Sequence, residues 1–320
     1  MGSIITLSIV QSALELGFIY ALVALALFIS FSILNIADLS TDGCFTLGCA
    51  ICASVTIAGH PVLALFAAMA AGICSGFVTA FLQTKMGIQS ILAGIIVNTG
   101  LYTINIAVMG FSSNMNLFNC ESVFTWAKTA IGGTWYKLVI AAVIVIAVGV
   151  LISFFLNTRL GLSIRATGDN PDMVRASSIN TGAMITIGLC VANALTALSG
   201  GLLAQYQKSC DINLGTGMVT IALASLIIGE SFIGKGSMLK RVAGVILGSC
   251  LYRFIVAVAL RLNVPAECLK LVSAVIVAVA IAFPYLKKQA QFYRLKREAR
   301  TENQTYIKEM IEKEKMGGEA

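Results

Sequence analysis

The sequence predicts an all-α polytopic membrane protein of about nine transmembrane helices, some of them short, broken or re-entrant. Three observations carry that reading. Of the 320 residues 58% are hydrophobic and 12% charged, about half the charge of an ordinary soluble domain. Mean hydropathy is +0.90. Apolar runs near the length that crosses a hydrocarbon core, about 20 residues, recur along the whole chain.

The first run continues to about Leu34 and has no basic cluster before it, so it reads as a span rather than a cleavable signal. Polar breaks then delimit spans near 8–34, 44–58, 61–82, 91–111, 137–156, 181–204, 217–229, 241–260 and 267–285. The runs 44–58 and 217–229 are short for a full crossing. Broken backbone at membrane depth is tolerated only where protein or a water-filled cavity covers it. The chain divides into a transmembrane domain, 1–286, and a charged tail, 287–320, that opens with Lys287, Lys288, Arg294, Lys296, Arg297 and Arg300.

That basic cluster accounts for much of the net charge of +7 and suits anionic lipid rather than nucleic acid. With the tail in the cytoplasm, 35–43, 83–90, 157–180 and 230–240 fall inside and 112–136, 205–216 and 261–266 outside. The basic bias between the two sets has the expected sign. An odd number of spans leaves the N-terminus outside. Residues 291–315 mix basic and acidic side chains and read as a surface helix or a disordered end.

Polar side chains within apolar runs mark either a pathway or hydrogen bonds between helices. Asn98 and Asn105 lie two helical turns apart on one face, with Thr99 nearby, and Asn193, Thr196 and Ser199 share another face. Asp38, Ser40 and Asp42 fall at a break read as cytoplasmic, where a broken helix would offer backbone groups to a gate. Glu15 and Arg253 are the charges deepest in spans, which raises either a buried pair between them or, for Arg253, snorkelling to an interface. Small residues at Ala68, Gly72, Gly76 and Ala80, and again at Gly244 and Gly248, repeat every four residues and predict close helix packing.

Enzymatic chemistry finds little support. Cys49 and Cys52 form C-x-x-C without a second pair, and His60 is the only histidine, so a metal site is not expected. Cys120, Cys210 and Cys268 lie in or near connections, where a disulfide is open but not deducible. The stretch GESFIGKGS, 229–237, matches the spacing of a nucleotide-binding loop through Gly229, Gly234 and Lys235. Gly236 occupies the place of the metal-binding Ser or Thr, and apolar spans flank both sides, so the stretch is expected to be a tight cytoplasmic turn. No cofactor is expected on this chain.

The longest inside connection, 157–180, contains its own helix signal over about 171–178: Asn170 can cap, Pro171 suits the first turn, and Asp172 favours the positive end of the dipole. A helix this short needs support from the membrane domain or a partner. GLSIRATGDNP at 161–171, then Met173 to Ala176 and Ile179-Asn180-Thr181, resembles the coupling loop of ABC-importer permeases of the branched-chain amino acid and ribose class. More closely it resembles permeases of tryptophan/tyrosine transport systems. NIADLSTDG (35–43), LAGI (92–95), LYTIN (101–105), ALSGGLLAQYQ (197–207) and IALASLIIGE (221–230) extend the similarity over nearly the whole chain. Ala37 and Cys44 depart from the Pro and Ser more usual in such permeases, and the tail is longer.

The resemblance implies a permease subunit in the bacterial cytoplasmic membrane that pairs with a second copy and docks two ABC ATPase subunits inside, with ATP and magnesium used by those subunits. A solute-binding protein would deliver a small solute, such as an amino acid, from outside. It also implies that 171–178 is a cytoplasmic coupling helix, with Arg165, Gly168, Asp169, Asn170, Pro171, Met173 and Arg175 at the ATPase contact, and it favours a gate at Asp38, Ser40 and Asp42; for Asn98, Asn105, Asn193 and Thr196 the pathway reading rests on their shared polar faces within the spans. The alternative is a stand-alone ion-coupled transporter or channel, against which stand the few intramembrane acids suited to proton coupling and the lack of a clear internal repeat.

Overall fold

The computed structural model describes residues 7–133, 135–233, 236–261, and, beyond these, 271, 274–275, 278–279, 282, 286 and 289–300. Two compact units result, Met1–Val277 and Ala278–Ala320. In the second, 289–300 is helical and carries an exposed Arg294–Glu298 pair at 3.1 Å. The predicted span 267–285 falls mostly outside the described residues.

Among the described residues of the first unit, six helices are long and apolar enough to cross a membrane. They are α1 (Leu7–Leu27, continued by a π-helical segment, Phe28–Ile33), α3 (Pro61–Thr84), α4 (Ser90–Val108), α6 (Tyr136–Asn157), α9 (Thr181–Gln207) and α11 (Met238–Arg261). Two shorter apolar helices, α2 (Thr41–Ile57) and α10 (Met218–Ile233), complete the bundle. Each coincides with an expected span. At one end lie α7 (Arg159–Asp169) and α8 (Pro171–Ala176); at the other lie α5 (Val123–Ile131) and the antiparallel pair β1 (Asn114–Asn116) and β2 (Ser209–Asp211). The sequence reading missed α5 and α7, which are amphipathic rather than continuously apolar, and the strand pair, which is only three residues a side.

The interior is built around α1 and α9, which are largely enclosed, while α3, α4 and α6 turn most of their surface outward. Outward residues such as Phe77, Phe81, Ile146 and Phe154 suit acyl chains as surroundings. Since lipid is as apolar as leucine, packing must hold such helices together, and small residues permit it. Ala68, Gly72, Gly76 and Ala80 are buried, and the two glycines lie against the α9 backbone near Asn193 and Leu189. Gly48 of α2 and Gly200 of α9 bring those two helices equally close, in parallel, with the Cys49 thiol donating to the Gly200 carbonyl at 3.0 Å. Gly229, Gly244 and Gly248 join α10 to α11. The expected stripes are interfaces.

Several expectations are corrected by this packing. The segment GESFIGKGS is not one turn: Gly229 to Ile233 belong to α10, Gly236 and Ser237 precede α11, and Gly234 and Lys235 lie outside the described residues. Glu15 and Arg253 do not pair. The Glu15 carboxylate accepts from the Tyr206 hydroxyl at 2.8 Å and from Gln11 at 2.9 Å, while the Arg253 guanidinium stacks 3.6 Å from the centre of the Tyr20 ring. Cys120 and Cys210 are free thiols, and Cys268 lies outside the described residues.

A side chain at Gly72 would meet the carbonyl of Asn193 and the Cβ of Ala197, 2.7 Å away, whereas one at Gly100 meets nothing within 4 Å. Gly72→Leu should therefore destabilise the protein by about 1–3 kcal/mol or more, and Gly100→Ala, in the middle of α4, should stabilise it by about 0.5–1 kcal/mol. Thermal unfolding of the two detergent-solubilised variants beside wild type checks both signs.

Candidate functional site

The break after α1 begins at Asn35, whose backbone takes a left-handed conformation (φ 56°) that asparagine tolerates better than branched residues. The chain then turns back into the bundle. Asp38 is buried, and one carboxylate oxygen accepts from the Ser40 backbone N–H (2.8 Å) and hydroxyl (2.6 Å) at the start of α2. The other oxygen accepts from Asn193 Nδ2 at 2.8 Å. The Thr79 hydroxyl of α3 donates to Ser40 Oγ at 3.3 Å. One carboxylate thus ties the start of α2 to the middle of α9.

Asp42 performs a related task one turn further on. Its carboxylate accepts from the backbone N–H groups of Gly217 (3.0 Å) and Val219 (2.9 Å), capping α10 from a distant helix. Thr46 Oγ1 accepts from Gly215 N–H at 3.1 Å beside it. The first turns of α2 and α10, each with unsatisfied N–H groups and a positive dipole end, therefore meet around two carboxylates. Gly43 lies against Asn98 and Leu101 of α4, and Asn105 Nδ2 donates to the Gly43 carbonyl at 3.1 Å.

The connection 35–43, expected at the cytoplasmic face, is corrected on these contacts. Asp38 bonds midway along Thr181–Gln207, and Asp42 meets Gly217, which follows a connection expected on the other side. Both carboxylates sit within the bundle, because α2 and α10 are helices of 17 and 16 residues that start inside it. Asp38, Ser40, Asp42, Asn98, Asn105 and Asn193 come together around the α2 N-terminus. Thr196 does not join them; its hydroxyl donates to the Ala192 carbonyl of its own helix. Asn105 Oδ1 and Asn193 Oδ1 are buried without a hydrogen-bond partner.

At the end of the bundle carrying 157–180, Asn170 caps α8 as expected, with Oδ1 accepting from Met173 N–H at 3.1 Å. The helix is shorter than expected and stops at Ala176, since Ser178 turns left-handed (φ 61°). Val174 is buried beneath it while Pro171, Met173 and Arg175 face outward. Arg175 Nε donates to Thr181 Oγ1 at 3.1 Å, which anchors α8 to α9. In α7, Arg165 is half-buried and Asp169 exposed, and Gly168 packs on the Ile33 carbonyl and Leu34 at the end of the π-helical segment.

That segment has a second anchor which the sequence did not suggest. Glu230 Oε1 accepts from Arg241 Nη2 (2.7 Å) and from the Ser32 hydroxyl (2.7 Å), and Arg241 lies 4.8 Å from the Phe28 ring centre. The signal available was two opposite charges flanking the connection between neighbouring apolar runs. Their meeting point on α1, nearly 200 residues earlier (|i−j| = 198), left no trace in local spacing. Among the described residues no three His, Cys, Asp or Glu side chains are grouped as metal ligands.

A bundle of membrane-length helices, with two short helices meeting at carboxylates within it and a helical loop pressed on the break of the first, has the build of a multi-pass solute permease. The chain belongs to the family described as branched-chain amino acid transport system / permease component, which matches residues 9–282. It is similar to the tyrosine transport system permease protein of Clostridioides difficile (strain R20291), 35% identical over 85% of this chain and 90% of that one. It is also similar to the ribose import permease protein RbsC of Escherichia coli (strain K12), 26% identical over 76% of this chain and 75% of the other. No solved structure matches the chain. The protein is thus a permease component of a transport system.

Asp42→Ala strands two backbone donors and should cost about 1–3 kcal/mol; Asp42→Asn, which keeps one amide oxygen as an acceptor, should cost less. Thermal unfolding ranks the variants, and protease nicking between Ile212 and Gly217 should rise in the same order.

Proposed function

We propose that the chain is the transmembrane subunit of a binding-protein-dependent ABC importer, with ATP hydrolysed by separate subunits docked at α7 and α8. Family membership and the similarity to permeases of tyrosine and ribose systems support the reading. Of these, the tyrosine relative is the more similar in sequence, which favours an amino acid, and an aromatic one, as the solute. The basic residues at the 157–180 end favour that end as cytoplasmic in a bacterial inner membrane, with a second copy completing the pathway and a solute-binding protein at the opposite face.

The observation that carries a mechanism is the seat of Gly168 on the Ile33 carbonyl. An ATPase gripping the outward residues Pro171, Met173 and Arg175 would move α7 and α8 as one piece. Gly168 would then pass the displacement to the π-helical end of α1, and the connection 34–40 would pass it to Asp38 and the meeting point of α2 and α10. Rigid helices joined at such a hinge move between discrete packings rather than deforming continuously. The polar side chains around Gly43 sit at that hinge, where a change in helix position opens or closes a path.

Two variants separate docking from transmission. Arg175→Glu should abolish co-purification of the ATPase from native membranes. Gly168→Leu, which wedges α7 away from α1, should retain the ATPase but lower ATP-driven uptake of tyrosine in proteoliposomes at least tenfold. Recovery of no ATPase with the wild type, together with uptake driven by an ion gradient alone, would overturn the importer reading.

A further inference from the structure

A cavity of about 740 Å³ opens at the end of the bundle that carries α8, between the α3–α4 turn and the start of α9. Lys85 and Arg175 stand on its rim and no carboxylate lines it among the described residues. Its wall includes Gln83, whose Nε2 is buried with no hydrogen-bond partner, a donor that water reaches poorly and no protein acceptor satisfies. The hydroxyl of Ser90 and the first turns of α4 and α9 add positive potential; the cap residue of α4, Gln89, contributes no side-chain bond to that turn. The acid nearest Arg175 is Asp172, at 3.8 Å and on an exposed surface, a pair too solvated to neutralise the site.

The lining is otherwise partly apolar, including Ile36, Ile88, Ile185 and Ile187. Ile91 and Leu92 next to the α4 terminus, and Phe77 and Phe81 on α3, are exposed apolar side chains on the two helices that border the cavity. Two cations, an unsatisfied amide donor and apolar side chains on the bordering helices make a receptor for an anion that is phosphate-like in its acceptor count and can carry acyl chains.

We propose that this cavity binds a phosphate-bearing anion, held between Lys85 and Arg175, with the Gln83 amide, shielded from solvent in the empty cavity, turning to donate to it. The bound anion bridges the α3–α4 turn to α8, so occupancy fastens the 157–180 loop to the bundle. Because Ile36 of the broken connection also lines the cavity, occupancy favours one position of that connection over others. None of this depends on the transported solute or on an ATPase.

The test uses delipidated full-length protein and its thermal unfolding. Added phosphatidylglycerol should raise Tm by about 3 °C or more beyond the effect of phosphatidylcholine; Lys85→Glu should lose that difference, and Lys128→Glu, at the opposite end, should retain it. Gln83→Leu removes the unsatisfied donor, so its ligand-free Tm should hold or rise while the phosphatidylglycerol shift falls, which separates loss of binding from loss of fold. An equal shift with inorganic phosphate at millimolar concentration would assign the site to a soluble phosphate compound; a shift with the lipid alone assigns it to the membrane. No shift with either, or a shift unchanged in both Lys85→Glu and Gln83→Leu, overturns the proposal.

Discussion

Two carboxylates placed where water is scarce govern the architecture. An ionised carboxylate within a membrane bundle is costly unless hydrogen-bond donors surround it, and Asp38 and Asp42 each meet theirs at the first turn of a helix, where backbone N–H groups lack intrahelical partners. The requirement is mutual. A helix that begins inside the bundle leaves N–H groups that need acceptors, and the carboxylates provide them for both α2 and α10. Remove the acids and two helix starts are orphaned; remove the helix breaks and the acids lose their donors.

The remaining packing serves that junction. Asp38 reaches Asn193 only because α9 lies close to α2 and α3, and Gly48, Gly72, Gly76 and Gly200 permit that approach. The π-helical end of α1 is held from two sides, by Gly168 on one and by the Glu230–Arg241–Ser32 cluster on the other. A wider turn weakens regular hydrogen bonding and is common where a helix must change course. The segment between these two anchors is the natural place for motion to enter the core.

Features that depend on local pattern were legible in the sequence. The four-residue repeat of small side chains, the Asn170 cap with Pro171 behind it, and the common face of Asn98 and Asn105 each follow from helix geometry alone. What was not legible is long-range. Nothing near Asp42 announces that it caps a helix 175 residues away (|i−j| = 175), and a polar break between apolar runs looks the same at a membrane face as within a bundle. The depth of 35–43 was misjudged for that reason. The partner of Arg253 was not legible for another: a cation can be satisfied by an aromatic face as well as by a carboxylate or an interface.

The distance in sequence between Asp38 and Asn193, 155 residues, bears on how the chain is made. During synthesis α2 emerges long before α9, as a short helix whose leading end carries two acids and whose closest neighbour does not yet exist. It is poorly suited to enter the lipid alone. The early helices must therefore wait, loosely assembled or shielded, until the ninth is delivered and supplies both the amide for Asp38 and the surface for the glycines of α3. Assembly of the core is a late event set by α9, and a chain truncated before Thr181 should be recognised by the cell as unfinished even though its first helices are apolar enough to insert.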